Sequence, residues 1–286
     1  MSGSPVSLVL GFHNHQPIGN FDHVFASAYA HSYRPFLDIV ADYPKVRFAL
    51  HNSGCLWEWI EANRPDYFDL VRRLVDRGQV ELVGGGFYEP ILPSIPHADR
   101  VTQIARMKAY LQQHFGVSAR GVWLTERVWE QSLVTSLLDA GVEYTAVDDF
   151  HFGLVGYRST QLHGTYLTED DGRTLQLFPI DQRLRYITPF HEIDSIKAYI
   201  DSTRQAFAGV SDPPEVVLPI LDDGEKFGVW PGTYNWVYER GWLRRFCDFL
   251  SDESNGVSCK LPSEVIDEVR PLGTVYLPSA SYQEMG

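Results

Sequence analysis

The sequence predicts a single α/β barrel, and two patterns support this prediction. Short, nearly continuous apolar segments alternate along the chain with segments that carry apolar residues at helical spacing. This alternation is typical of parallel βαβ units. Roughly seven or eight strands over this length favour a barrel over an open sheet. Because no linker or repeat interrupts the chain, we expect residues 1–286 to form one domain.

The predicted strands are apolar throughout, as expected for strands that are buried on both faces of a parallel sheet. Strand 6–12 stops at His13, and strand 46–50 stops at His51. The later strands, which end at glycines, a Thr-Glu pair or paired aspartates, are 80–83, 121–124, 144–147 and 216–221. In a barrel, catalytic groups lie where strands lead into the following loops. We therefore expect the functional side chains at these strand ends.

The last of these strands, 216–221, contains a proline. Pro219 has no backbone N–H and cannot donate a hydrogen bond to a neighbouring strand. The sequence therefore predicts a β-bulge at this position.

Two of the intervening segments show a helical pattern. Segment 66–77 places its apolar residues on one face and is followed by Gly78. Segment 99–115 has similar spacing and is followed by Gly116. Glycine directly after a periodic segment is a common helix C-terminal cap, so both segments are predicted helices.

The composition limits the class of partner. Acidic residues outnumber basic residues by 37 to 24, which gives a formal net charge of -13 and disfavours nucleic acid. The three cysteines are odd in number and widely separated, which favours a reducing compartment. The first residues lack the basic region of a signal peptide, and no apolar run approaches the length of a membrane span. We expect a cytoplasmic protein with no membrane partner.

Segment 121–130 places a carboxylate, a guanidinium and indole rings at a strand end. Glu126 and Arg127 lie between Trp123 and Trp129. Sugar sites use this mixture, because aromatic rings stack on the apolar faces of pyranoses while charged groups bond hydroxyls or attack the anomeric carbon. In the alternative interpretation, Glu126 and Arg127 form a surface pair and the tryptophans are core residues.

Two adjacent aspartates end the last predicted strand. Because successive strand residues face opposite sides, we expect one of Asp222 and Asp223 to be catalytic and the other structural. Together with Glu126, the catalytic one supplies the pair of carboxyls that glycoside transfer requires. The alternative is an acidic turn or a calcium loop, although no glutamate follows at the EF-hand position. Of the aromatic residues that follow, only Trp230 is assigned to binding.

His13 and His15 end the first strand and allow two interpretations. A His-x-His pair can place two imidazoles on one metal ion, so a metal-dependent deacetylase or amidohydrolase is an alternative function. No nearby Glu-x-x-His motif or cysteine pair completes a ligand set. The amides of Asn14 and Gln16 suit the recognition of hydroxyls, so we favour sugar contacts.

Glycines 84–86 precede Phe87 and Tyr88. This segment lacks both the G-x-G-x-x-G spacing and the Lys-Ser/Thr ending of nucleotide-binding loops, so nucleotide binding is rejected. Glycine lets the backbone pass close to a substrate, and a tight turn without a ligand is the alternative.

Four motifs, in this order along the chain, resemble glycoside hydrolase family 57, and in particular its 4-α-glucanotransferase branch. They are HNHQP at 13–17, GGFYEP at 85–90, WLTERVW at 123–129 and DDGEKFG at 222–228. The resemblance runs through essentially the whole chain. It implies an incomplete (β/α)7 barrel, a retaining mechanism on α-1,4-glucans or maltooligosaccharides, and neither a cofactor nor a metal.

The resemblance also assigns roles to individual residues. Glu126 matches the nucleophile, and Asp223 matches the acid/base. The implied substrate contacts are His13, His15, Glu81, Trp123, Asp148, His151 and Trp230. Members of the family continue past the position of Gly286 into helical and β-rich segments, and the helical one supplies further cleft residues. The resemblance therefore implies weak or no turnover, or a glucan-binding fragment, unless that region is supplied.

Overall fold

The structure is a computed structural model that describes residues 5–207 and 215–285. Its strands are β1 Val6–Asn14, β2 Phe48–Asn52, β3 Val80–Leu82, β4 Gly84–Gly85, β5 Gly121–Trp123, β6 Tyr144–Asp148, β7 Tyr166–Asp170, β8 Arg173–Ile180, β9 Val216–Asp223 and β10 Val257–Cys259. Its α-helices are α1 Asp22–Ala28, α2 Arg34–Val40, α3 Gly54–Asn63, α4 Pro65–Asp76, α5 His97–Phe115, α6 Leu133–Asp139, α7 Asp149–Gly153, α8 Gln182–Ile187, α9 Ile193–Ala206, α10 Trp242–Ser251 and α11 Pro262–Glu268.

The parallel strands follow one another around a barrel in the order β9, β1, β2, β3 with β4, β5, β6 and β8. β3 and β4 share one position, because β3 pairs with β2 whereas β4 pairs with β5. Among the described residues, β8 and β9 form no ladder, and the N–H of Asp181 donates to the carbonyl oxygen of Pro219 at 2.9 Å. The predicted incomplete (β/α)7 barrel is therefore confirmed.

Pro219 lies in a regular strand, so the expected β-bulge is wrong. The register between β1 and β9 runs without interruption from Val6–Val216 to His13–Asp223, and pairs Val9 with Pro219. In a strand, the N–H and C=O of one residue point to the same side. The carbonyl of Pro219 points toward β8, so its missing N–H also faces the gap where no ladder forms.

The strands β7, β8 and β10 were not predicted, and of these β7 and β10 lie outside the seven positions. β7 pairs with β8 in an antiparallel hairpin. β10 pairs with the first half of β1, Val6 to Leu8, whereas β2 pairs with the second half, Leu10 to Asn14. β10 and β2 therefore both pair with the same edge of β1, at different positions along its length.

Side-chain alternation along the strands separates the barrel interior from the outer core. On β1, Leu8, Leu10 and Phe12 pack in the cluster that includes the outer helices, while Val9 packs inside the barrel with Trp123. The interior cluster consists of Val9, Trp123, Tyr144, Ala146, Phe178, Ile180, Val217, Leu221 and Val265. Val265 belongs to α11, so this helix closes the end of the barrel where the strands begin.

The predicted helices are present with the expected caps. Segment 66–77 corresponds to α4, and segment 99–115 lies within α5. Gly78 and Gly116 both have φ +69°, a backbone conformation that glycine adopts without steric cost. Within the described ranges, no helix combines the length and the apolar character needed to cross a lipid bilayer.

Candidate active site

The carboxyl ends of the parallel strands surround a cleft of about 270 Å³. It is lined by His13, His15, Trp123, Glu126, Arg127, Asp223, Glu225, Trp230 and Tyr282. Both predicted catalytic carboxyls lie in this cleft, together with four of the predicted substrate contacts, His13, His15, Trp123 and Trp230. Glu81, Asp148 and His151 are absent from its lining.

Glu126 reaches the cleft through an unusual backbone turn directly after β5. Its φ is 53°, and that of Arg127 is 47°, which are left-handed values that non-glycine residues rarely adopt. Such conformations cost about 1–3 kcal/mol each and persist only where surrounding contacts impose them. Here the hydroxyl of Ser281 donates to the Glu126 carbonyl oxygen at 2.6 Å, and the Tyr282 hydroxyl donates to Glu126 Oε2 at 2.6 Å.

Arg127 lies buried next to Glu126 and is surrounded by acids. Its Nε is 3.3 Å from Asp148 Oδ2, and its Nη1 is 4.0 Å from Asp222 Oδ1. Its guanidinium carbon lies 4.4 Å from the ring centroid of Tyr282, a cation–π geometry. The buried charge is thus compensated on several sides, and Arg127 joins Glu126 to the neighbouring strands.

Asp148 and His151 lie below the cleft surface, so the structure does not agree with their expected sugar contacts. The Asp148 carboxylate is almost fully buried, 3.3 Å from Arg127 Nε and 4.0 Å from Arg185 Nη1. His151 is fully buried, and its Nδ1 lies 3.1 Å from the Asp148 carbonyl oxygen. The reason is Arg127, whose side chain separates Asp148 from the cleft.

The two adjacent aspartates of β9 face opposite sides, as strand geometry requires. Asp223 stands beside His13 in the register and lines the cleft. Asp222 is buried, contacts Lys226 Nζ and accepts a hydrogen bond from the Asp223 N–H at 2.9 Å. Burial raises the pKa of Asp222 to about 6. Because the Lys226 ammonium group already pairs with the Asp222 carboxylate, this geometry does not favour the calcium-loop alternative.

His13 forms one wall of the cleft with an aromatic neighbour. Its ring lies 4.5 Å from the Trp123 ring at an interplanar angle of 13°. Its Nδ1 lies 2.8 Å from His51 Nδ1, so one of these two nitrogens carries the proton. Burial lowers the pKa of His13 and lowers that of His51 to about 3, so both rings are neutral near pH 7.

Glu89 is a site residue that the sequence interpretation missed, although it belongs to the GGFYEP motif. Its φ is 50°, and its side chain, which is only 4% exposed, places the carboxylate beside three imidazoles. One oxygen contacts His15 Nδ1, and the other lies 3.5 Å from His13 Nε2 and 3.8 Å from His51 Nδ1. Burial opposes the charge on His15, but the hydrogen bond and the charge of Glu89 raise its pKa overall.

Glu89 and two of these histidines form the one group of three or more histidine, cysteine or acidic side chains that could hold a metal ion in the described parts of the chain. Ligand atoms of His13, His15 and Glu89 all lie within 4.8 Å of one another. Glu89 supplies the third ligand that the sequence motif lacked. Even so, its contact with His15 already satisfies one carboxylate oxygen and one imidazole nitrogen.

Glu225 is a second acid that the sequence interpretation left without a role. Its Oε1 accepts a hydrogen bond from the His15 N–H at 2.8 Å and another from the Tyr33 hydroxyl. Burial raises the pKa of Glu225 to about 7. Glu225 therefore fixes the backbone of His15 at the floor of the cleft.

Glu81 lies at the opposite end of the barrel, so the structure does not agree with its expected sugar contact. Its carboxylate accepts hydrogen bonds from the Tyr144 hydroxyl at 2.6 Å and from the Ser263 N–H at 2.9 Å. The register pairs Glu81 with Ala49, two residues before His51, so it lies deeper in the barrel. Glu89, later in the same region of the chain, is the acid that faces the imidazoles.

Trp230 differs from the other tryptophans of its segment. It is 43% exposed at the rim of the cleft, and its ring lies 5.7 Å from that of Phe190. In contrast, Trp242 is fully buried, and its Nε1 donates to the His191 carbonyl oxygen at 2.6 Å. Trp230 is therefore accessible from the cleft, whereas Trp242 is not.

The arrangement suits chemistry at an acetal carbon. Two carboxyls, from Glu126 and Asp223, share one small cleft with the indoles of Trp123 and Trp230. One carboxylate can attack while the other carboxyl protonates the departing oxygen, and the indole faces can hold a pyranose ring.

Known proteins are similar to this chain in sequence and in fold. Residues 9–278 match the model of glycosyl hydrolase family 57. A 4-alpha-glucanotransferase from Thermococcus litoralis is 49% identical over 98% of this chain, and an alpha-amylase from Pyrococcus furiosus is 48% identical over 99%. The crystal structure of the Thermococcus litoralis 4-alpha-glucanotransferase superposes with a TM-score of 0.93 at 48% identity and covers 99% of this chain.

The chain spans only part of these relatives. It covers 41% of the Thermococcus litoralis protein and 42% of the Pyrococcus furiosus protein, and 43% of the chain in the crystal structure. The family match nevertheless extends over almost all of the present sequence. The chain therefore belongs to glycosyl hydrolase family 57.

Proposed function

We propose that the protein is a retaining enzyme of the 4-α-glucanotransferase or α-amylase type, which acts on α-1,4-glucans or maltooligosaccharides. The observation that carries the proposal is the presence of Glu126 and Asp223 in one cleft with Trp123 and Trp230. The names of the relatives, a glucanotransferase and an alpha-amylase, support the same class of substrate.

In the first step, a Glu126 carboxylate oxygen forms a bond to the anomeric carbon. The bond from that carbon to the glycosidic oxygen breaks, and Asp223 gives its proton to the departing oxygen. In the second step, the Asp223 carboxylate takes a proton from an acceptor hydroxyl, whose oxygen bonds to the anomeric carbon as Glu126 leaves. Two displacements restore the original configuration.

The surrounding side chains bind the sugar. The indole of Trp123 presents an apolar surface backed by the neutral ring of His13. His15, held by Glu89 and Glu225, offers a donor at the cleft floor. Trp230 lies at the rim, where a further glucose unit of the chain would stack.

The identity of the acceptor separates the two enzyme types. Disproportionation is the leading hypothesis, in which the acceptor is a hydroxyl of another sugar. We expect maltotriose to yield a range of chain lengths without new reducing ends, whereas new reducing ends would indicate hydrolysis. Glu126→Gln should abolish both outcomes, and Glu130→Gln, outside the cleft lining, should abolish neither. Full activity in Glu126→Gln would disprove the mechanism.

We further propose that residues 1–286 form one catalytic domain that acts in the cytoplasm and requires a downstream segment for full turnover. The chain spans about two fifths of its relatives, and its three cysteines are free. Adding the region that follows the match in the Thermococcus litoralis protein should raise turnover. Glucan binding without turnover by the chain alone, and turnover with the added region, would identify it as a binding fragment.

A metal-dependent deacetylase remains a second candidate because His13, His15 and Glu89 converge. This alternative predicts about one zinc ion per chain by elemental analysis, lost in His13→Ala, and activity that chelators remove. Glucan conversion that is unchanged by chelators would exclude a metal requirement for the proposed reaction.

A further inference from the structure

We propose that Tyr282 is a positioning residue for Glu126, which orients one carboxylate oxygen and leaves the other free to attack. This inference rests on the proposed function, in which Glu126 is the nucleophile. The Tyr282 hydroxyl lies 2.6 Å from Glu126 Oε2, and both residues line the cleft. The two residues are 156 positions apart in the chain, so this contact exists only in the folded protein.

The backbone around Tyr282 is anchored on both sides of the contact. Before it, Ala280 forms a bridge with Trp129, with N–H to carbonyl bonds of 2.8 and 3.1 Å. After it, the Glu284 carboxylate accepts a hydrogen bond from Arg185 Nη2 at 2.7 Å. Trp129 and Arg185 are both buried, so the anchors are fixed points of the barrel.

The same segment also holds the backbone of Glu126. Ser281 donates its hydroxyl to the Glu126 carbonyl oxygen at 2.6 Å, at the residue whose φ is 53°. The Tyr282 ring covers the guanidinium of Arg127 at 4.4 Å. The left-handed turn and the carboxylate are therefore restrained together by two consecutive residues of a distant segment.

The chemistry of the contact fits an orienting role. Burial, followed by the hydrogen bond to Glu126, raises the pKa of Tyr282 to about 12, so the phenol keeps its proton at neutral pH and acts as the donor. A hydrogen bond to a carboxylate is stronger than one to an ester. The contact would therefore favour Glu126 as a free carboxylate, both before attack and when it departs from the glycosyl-enzyme.

The matched experiment compares two tyrosines that each bond a glutamate. Tyr282→Phe removes the donor to Glu126, whereas Tyr276→Phe removes a 2.8 Å bond to Glu169 on the protein surface. We expect Tyr282→Phe to lower kcat on maltotriose by about 10- to 100-fold, as for loss of a hydrogen bond to a charged group, with KM within about twofold. The acid limb of its pH–rate profile should move to higher pH. Tyr276→Phe should change neither quantity.

A spectroscopic measurement tests the contact without turnover. In protein labelled with 3-fluorotyrosine, the 19F resonance absent from Tyr282→Phe belongs to Tyr282. Glu126→Gln should shift this resonance and lower the pH at which it titrates, whereas Glu169→Gln should leave it in place. A folded wild-type protein that shows this shift but fails to convert glucans even when the downstream region is supplied would overturn the proposed function and retain the contact.

The positioning proposal itself has a clear contrary outcome. It is overturned if the 19F resonance of Tyr282 is unchanged in Glu126→Gln. It is also overturned if Tyr282→Phe keeps the wild-type kcat and the wild-type acid limb of the pH–rate profile. Should Tyr282→Phe fold poorly, site-specific incorporation of 3-fluorotyrosine at position 282 assigns the resonance, and the comparison with Glu126→Gln decides the matter.

Discussion

The imidazole of His13 lies flat against the indole of Trp123, with ring centroids 4.5 Å apart and an interplanar angle of 13°. His13 is the next-to-last residue of β1 and Trp123 is the last residue of β5, so the pair joins two separate strands of the barrel at the cleft. Because burial lowers the pKa of His13, the stacked ring is neutral. The pair thus forms a rigid wall with an apolar face.

Replacing Trp123 should weaken catalysis through this wall. Trp123→Ala removes both the support of His13 and a face for sugar stacking, so kcat/KM on maltoheptaose should fall by about 10-fold or more. Trp123→Phe keeps a ring and should lose much less. Steady-state kinetics of the two variants provides the comparison, and equal losses would contradict a stacking role.

Asp223→Asn should separate the two displacement steps. With maltooligosaccharides, the variant lacks the proton donor, and turnover should fall by about 100- to 10,000-fold. With α-maltosyl fluoride, the leaving group needs no proton, so one equivalent of fluoride should appear in a burst before the missing base blocks the second step. A fluoride electrode measures the burst. The absence of a burst in a variant that still binds maltotriose would argue against the acid/base role.

Glu225 should make stability depend on pH. Burial raises the pKa of Glu225 to about 7 from the value of 4.5 expected in an unfolded chain, so the native state binds this proton more tightly. The free energy of unfolding should therefore fall as pH rises from about 4.5 to about 7, and this group should add no slope outside that window. Denaturant titrations should show a smaller slope in Glu225→Gln than in wild type.

The exposed acid Glu58 offers a control for this measurement, because its side chain is 47% exposed in its pair with Arg106. Glu58→Gln should keep the wild-type pH dependence. If Glu225→Gln and Glu58→Gln follow the same curve, Glu225 does not titrate in this range.

Gly121→Ala should destabilise the barrel at the strand that leads to Glu126. A Cβ at Gly121 would lie 2.1 Å from the ring of Tyr144, which is buried and bonded to Glu81. Overpacking of this kind costs about 1–3 kcal/mol and lowers the melting temperature. Gly153→Ala, where no atom lies within 4 Å of the added Cβ, is the matched control. Calorimetry that gives the same Tm for both variants would refute the packing argument.

Local sequence patterns were sufficient to predict much of the site. The alternation of side chains along a strand predicted different positions for Asp222 and Asp223. The structure places Asp222 beneath the cleft and Asp223 in its lining. Motif positions at strand ends likewise identified His13 and Glu126, both of which line the cleft. These features depend on residues close in the chain, so they can be read without knowledge of the fold.

Other features depended on how distant segments meet. The sequence interpretation assigned Glu81 and gave Glu89 no role, because the position of each carboxylate depends on strand register, which puts Glu81 beneath the cleft. It also could not reveal that Tyr282 bonds Glu126, since no local pattern encodes that contact. Periodicity and motifs specify strands, helices and their chemically active ends. Only the packing of those elements fixes register and long-range hydrogen bonds, and through them the side chains that surround the nucleophile.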